Sequence, residues 1–139
     1  MKQNRKTVLF SFHNADFYSG ATRSLLDVID RFIEEQEWRI VAVFPEKKGT
    51  AIDYLNKKNV AILCCKTKLL VQDEKQAIYK RIIKFPLFFI RYFATVKSVK
   101  KLWNSIEEKH DIVAVYTNTS VNIVGALLKK YYNIPNIWH

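Results

Sequence analysis

TVLFSF at residues 7–12, HNADFYSG at 13–20, ATRSLLDVIDRFIEEQE at 21–37 and WRIVAVF at 38–44 decide the fold. The first block is a short apolar run with β-branched and aromatic residues between polar flanks, which reads as a buried strand. The second collects Asn14, Asp16, Ser19 and Gly20, all turn formers, and reads as a loop. From Thr22 to about Glu35, Leu25, Leu26, Val28, Ile29, Phe32 and Ile33 recur at helical spacing. Asp27, Asp30, Arg31 and Glu34 fill the other face. The fourth block is a second strand, ended by Pro45. Both strands are continuous apolar runs rather than alternations, the pattern of parallel strands buried on both sides.

The same order continues downstream. Residues 50–58 read as a short helix with Ala51, Ile52 and Leu55 inward, and residues 60–64 as a third strand. Asp73 is placed to cap a helix reaching about Lys84. Pro86 disfavours helix just before it and suits a first turn, so a separate long helix is expected from there to about Lys109. Residues 111–116 (DIVAVY) form a fourth strand. Thr117 to Ser120 are expected to cap a fourth main helix, with Asn118 and Ser120 as capping side chains and Val121, Val124, Leu127, Leu128 and Tyr131 along one side. Asn133 suits its left-handed end and Pro135 blocks its continuation. Asn136 to His139 start a fifth strand. The expectation is a single α/β domain over residues 1–139: a doubly wound, Rossmann-like open parallel sheet in the order 3-2-1-4-5.

Composition agrees with one packed core. Of 139 residues, 49% are apolar and 14% aromatic, which excludes a disordered tail. Three Gly and three Pro argue against a turn-dense β-sandwich, and the adjacent Cys64 and Cys65 supply neither a disulfide framework nor a zinc site. These two thiols are expected at the end of a strand, one buried and one half-buried, in a reducing compartment. The polar, basic start and the lack of any apolar run of about 18 residues lead to the expectation of a soluble, cytoplasmic protein.

Open parallel sheets bind ligands beyond the carboxyl ends of their strands, where the strand order reverses. That point falls between strands one and four, so the loop His13–Gly20 and the turn Thr117–Ser120 frame the candidate site. Both lead into helix N-termini, which favour phosphate, carboxylate or sugar hydroxyls. His13 stands at the mouth of this site as a candidate substrate-binding residue; His110 falls at the opposite end of the sheet, where a surface position is expected. No G-x-G-x-x-G, Walker A or G-x-S-x-G motif occurs, the three histidines lack metal-ligand spacing, and Asp16 alone does not make the acidic cluster of a receiver domain.

Charge is lopsided. The chain carries +10, of which residues 66–101 hold +8 through ten basic and two acidic residues. An anionic partner is expected there. Lys80, Arg81, Lys84, Arg91, Lys97, Lys100 and Lys101 accompany a run of aromatics in LFFIRYFATVKSVKKLW at 87–103. Two readings stand: a sheet-covering helix with a solvated basic edge, or an interfacial helix docking on an anionic membrane. Nucleic acid is disfavoured, because aromatics at helical spacing build no base-stacking platform.

Residues 17–29 (FYSGATRSLLDVI) and 111–139 (DIVAVYTNTSVNIVGALLKKYYNIPNIWH) resemble the N-terminal half of GT-B-fold glycosyltransferases of family four. That family carries a G-G-x-E-like turn after its first strand, and a D-[IV]-[IV]-x-x-[HN]-[ST] stretch before a helix ending in Ile-Pro and a strand ending in His. Here Ser19 takes the first glycine position and Thr22 the acidic one. The resemblance implies an acceptor-side domain for transfer of a sugar from a nucleotide-sugar donor to a glycan or lipid-linked acceptor. The donor would sit on a C-terminal domain or subunit with an E-x7-E motif; none follows His139, so the chain is expected to be an excised domain or one subunit of a split enzyme, inactive alone and peripheral to the inner face of the membrane. It further implies that His139 orients the donor sugar, that Ser19, Gly20 and Ala21 let backbone approach donor phosphates and acceptor, and that Thr117, Asn118 and Thr119 rim the acceptor pocket. No cofactor and no metal are implied. The alternative is a non-catalytic α/β module that recruits a partner or an anionic membrane through residues 66–101.

Overall fold

The computed structural model describes residues 6–67 and 78–138, the side chains of 78–84 excepted. The elements run β1 (Thr7–Ser11), α1 (Gly20–Glu35), β2 (Arg39–Phe44), α2 (Thr50–Lys57), β3 (Ala61–Cys64), α3 (Ile78–Ile106), β4 (Ile112–Thr117), α4 (Val124–Tyr132) and β5 (Asn136–Trp138). The strands form one sheet in the order β3-β2-β1-β4-β5, every pairing parallel. The expected order and direction are both found.

Alternate residues of each strand point to opposite faces, so a central strand feeds two cores at once. Val8, Phe10, Ile40, Ala42 and Phe44 pack with Leu25, Leu26 and Ile29 of α1 and Ala51, Ile52 and Leu55 of α2. Leu9, Val41, Val43 and Val115 face the other way, against Val96, Val99, Leu102 and Ile106 of α3 and Val124, Leu127 and Leu128 of α4. All five residues of β1 are buried, which accounts for its unbroken apolar run.

Two expected helix boundaries are corrected. α3 is one helix of 29 residues with Pro86 inside it, not two helices meeting there. Proline removes one N–H and crowds the carbonyl four residues back. The helix is held further along by Val96, Val99, Leu102 and Ile106, so packing overrides the local preference. It ends at Ile106 rather than near Lys109. The helix start expected at Asp73 lies outside the described residues.

The second correction concerns the fourth main helix. α4 starts at Val124, with Ile123 as its N-cap residue and no side-chain capping bond, so Asn118 and Ser120 are not its caps and Val121 lies before it. Asn122 serves the helix start instead, its Oδ1 accepting from the Val124 N–H at 3.1 Å. The other end follows expectation: Asn133 is left-handed (φ 56°) and its N–H closes on Lys129 O. Tyr131, expected on the apolar side, is exposed. Cys65 is buried but Cys64 is exposed rather than half-buried.

Candidate functional site

The loop after β1 is built by short polar side chains. Asn14 Oδ1 accepts from the Asp16 N–H at 3.2 Å and from Thr22 Oγ1 at 2.7 Å, an Asx turn tied to α1. Asp16 Oδ1 accepts from the Tyr18 N–H at 3.0 Å, and Thr50 Oγ1 accepts from the Phe17 N–H at 2.8 Å. The Ala51 N–H donates to Ala15 O at 3.0 Å, so the loop is sewn to the start of α2. Gly49 allows that seam, since a Cβ there would overlap Ala15.

Asn14 also decides the state of His13. Its Oδ1 is committed to two donors, so its NH2 faces His13 Nε2 at 2.9 Å. That nitrogen must accept, which places the imidazole proton on Nδ1. Burial lowers the His13 pKa below its ordinary 6.5, in the same direction. Nδ1 itself is buried without a partner. His13 is thus a neutral imidazole with one N–H unspent.

The turn after β4 meets this loop. Asn118 Nδ2 donates to Ala21 O in the first turn of α1, and Asn122 Nδ2 donates to Ser11 Oγ at the end of β1, 2.9 Å away. Thr117 Oγ1 donates to Asn136 Oδ1 at 2.9 Å, joining β4 to β5. Gly125 packs beneath that pair. Asn118 is only 9% exposed, yet its Oδ1 has no partner; Thr119 Oγ1 and Asn136 Nδ2 are likewise buried and unpaired. Such groups are costly to leave unmade in a native fold.

The expected site residues divide between this crevice and the rest of the molecule. Ser19 is the N-cap residue of α1 but its hydroxyl makes no capping bond, and the helix begins at Gly20, two residues before Thr22. Gly20 is exposed and Ala21 half-buried at that first turn. Thr117, Asn118 and Thr119 stand at the carboxyl end of β4, and Asn118 reaches the Ser19–Ala21 turn directly. His139, and the side chains of Lys80, Arg81 and Lys84, lie outside the described residues. Arg91, Lys97, Lys100 and Lys101 sit on α3, and none of them makes a hydrogen bond or ion pair with the two described turns. His110 is half-buried rather than a plain surface residue, because it lines a cavity of about 560 Å³ at the amino ends of β1 to β4. Asn14, Asn122 and Asn136 are the site residues that sequence reasoning missed, while Thr22 stood out only for its place in the turn motif. Their signal was small polar side chains at strand ends, which is shared by any turn. Among the described residues no three of His, Cys, Asp and Glu gather to hold a metal ion.

A parallel sheet whose reversal point carries two interlocked polar turns defines a Rossmann-like α/β domain. Solved structures with the same fold include UGT2 of Phytolacca americana without ligand, at 12% identity and TM-score 0.61, covering 96% of this chain and 29% of that one. The same enzyme complexed with UDP-2fluoro-glucose and pterostilbene matches at 12% identity and TM-score 0.63, covering 100% and 31%. MurG of Acinetobacter baumannii matches at 14% identity and TM-score 0.55, covering 96% and 33%. These are GT-B glycosyltransferases, and the likeness establishes a shared fold. The chain spans about a third of the length of each. No protein-family model matches the sequence, and no curated protein matches it.

Proposed function

We propose that the chain is the N-terminal, acceptor-side domain of a GT-B glycosyltransferase, of the family-four type that its motifs resemble. The observation that carries this reading is the joining of the two polar turns at the point where the strand order reverses. Beneath their surface Asn118 Oδ1, His13 Nδ1–H and Thr119 Oγ1 are buried without partners, an acceptor, a donor and a group that does both once the turns part to admit a ligand. Sugar hydroxyls both donate and accept, so they answer such a mixed set. A diphosphate needs donors and cations, and residues 12–19 and 118–123 contain no Lys or Arg. The crevice therefore suits a neutral glycan or the sugar of a lipid-linked acceptor. The nucleotide-sugar donor belongs to a C-terminal domain or subunit, with His139 orienting its sugar and the Ser19–Ala21 backbone closing on it. Transfer requires both walls, because holding donor and acceptor together is most of what such an enzyme does.

The test is amide chemical-shift titration of the labelled chain with neutral oligosaccharides and, separately, with UDP. Oligosaccharide shifts confined to residues 13–21 and 117–122, weakened about tenfold or more by Asn118→Ala, with no response to UDP, are the expected result. Tight UDP binding, or sugar shifts elsewhere on the surface, would overturn the acceptor-side assignment. A non-catalytic interaction module is the second reading; it is favoured by the exposed apolar end of α3 and requires a crevice silent to every sugar.

A further inference from the structure

The sheet is too short for α3. Its 29 residues span about 43 Å at 1.5 Å each, whereas a strand of five or six residues covers roughly 20 Å. Among the described side chains of the helix, those that pack against the sheet-side core run from Tyr92 to Ile106. The chain leaves β3 at the carboxyl edge and re-enters β4 at the amino edge, so the unseated part projects past the carboxyl edge, the edge that holds the candidate site. From residue 85 onward the described side chains of that part leave a run of large apolar groups bare: Phe85 is 56% exposed, Ile90 65% and Phe93 64%, with Phe89 beside them. Such a patch marks a contact surface.

Phe89, Phe93, Lys97 and Lys101 follow one another at four-residue steps, so apolar tip and cations share one winding face. Lys97, Lys100 and Lys101 are exposed, and Lys100 Nζ lies 4.8 Å from the ring centre of Tyr131 on α4, bringing Lys130 into the same basic surface. The whole of α3 has seven Lys and Arg and no Asp or Glu. Protein–protein interfaces are depleted in lysine, whereas helices lying in a lipid headgroup layer combine it with Phe and Leu. No described helix is long and apolar enough to cross a membrane. We infer that the overhanging end of α3 is a membrane-docking device: Phe85, Phe89, Ile90 and Phe93 dip into an anionic bilayer while Lys97, Lys100, Lys101 and Lys130 rest on its phosphates. The occupant is the lipid surface itself, by charge complementarity. Docking this way would bring the crevice edge toward the bilayer, where the sugar of a lipid-linked acceptor is presented; that last point alone rests on the proposed function.

Sedimentation of the 139-residue chain with phosphatidylcholine vesicles, with and without about a third phosphatidylglycerol, tests it. Binding is expected only with the anionic lipid and should fall steeply from low to high salt. Lys97→Gln, Lys100→Gln and Lys101→Gln together should lower partitioning about a hundredfold, near fivefold for each cation. Phe89→Ser with Phe93→Ser should lower it more than tenfold. All five side chains are exposed, and near-ultraviolet dichroism checks that the fold persists. As a second readout, Phe93→Trp should add blue-shifted emission on anionic vesicles. No sedimentation, equal binding by the variants, or no blue shift from the Phe93→Trp chain would overturn the inference. So would a stable dimer dissociated by Phe93→Ser, which would give the patch to a second copy. The vesicles contain no sugar, so this surface can stand or fall independently of the crevice.

Discussion

Two glycines border the candidate crevice and meet opposite surroundings. A Cβ on Gly20 would enter open space, and this residue opens α1 without a left-handed backbone. A Cβ on Gly125 would land on Asn136 Oδ1 and Thr117 Oγ1. Gly20→Ala should therefore raise stability, by up to about 1 kcal/mol, through a better helix former and a stiffer unfolded chain. Gly125→Ala should cost about 1–3 kcal/mol by overpacking and by parting the Thr117–Asn136 bond. Urea midpoints measure both. If Gly20→Ala also weakens oligosaccharide binding, the glycine is there for a close-approaching ligand rather than for the fold. The adjacent thiols divide as sharply. Burial, with the neighbouring Cys64 adding to it, pushes the Cys65 thiol up to about 12, and Cys64 is exposed. Alkylation of the native chain near pH 8 should modify one thiol, Cys64, and denaturation should release the second; mass spectrometry counts them.

At the scale of elements, α3 holds the sharpest conflict between local preference and tertiary packing. Pro86 costs its helix one hydrogen bond and is itself exposed, so nothing in the core needs the ring. Pro86→Ala should slow amide exchange through residues 85–93 and stabilise that end by roughly 1–3 kcal/mol. Exchange unchanged by the substitution would mean that the turn around Pro86 is held by contacts other than its own backbone. The same element explains what sequence could and could not convey. Strands β1, β2 and β4 were legible because burial on both faces writes an unbroken apolar run. α1 was legible because one face on the core writes a 3.6-residue period. Pro86 misled because a proline rule is local, while the anchor that overrides it, Val96 to Ile106, lies at least ten residues along the chain. The turn Thr117–Ser120 misled for a related reason. Its Asn and Thr residues have the chemistry of caps, but Asn118 uses its amide on α1, distant in sequence, and leaves the capping to Asn122. The location of the crevice followed from topology; the polar interlock that forms it did not, since short polar residues at strand ends carry no mark of their partners.

Among the described residues each polar end of the molecule has one half-buried histidine. His13 lies at the carboxyl edge beside the candidate crevice, and His110 at the amino edge. Burial lowers the pKa of both; at His110 the charges of Arg39 and Lys109 add to it. The sign of the linkage follows. In the unfolded chain each histidine takes up its proton near 6.5, while the folded chain resists it until lower pH. Between those two values the unfolded state binds more protons, so stability is full above about 6.5, declines as pH falls through the window, and levels off once the folded form is protonated as well. At His13 the decline has a structural cost besides desolvation, because a proton on Nε2 would face the Asn14 NH2 and break the contact that orients the loop. Denaturation midpoints recorded from pH 7.5 down to 5 should therefore drop, and His110→Asn should flatten part of that slope without touching the crevice. His13→Asn should flatten the rest and also remove the pH dependence of oligosaccharide binding, since protonation would turn the Asn14 amide away from Thr22 and loosen the first turn of α1. A slope that survives both substitutions would place the titrating group elsewhere and detach His13 from the control of the site.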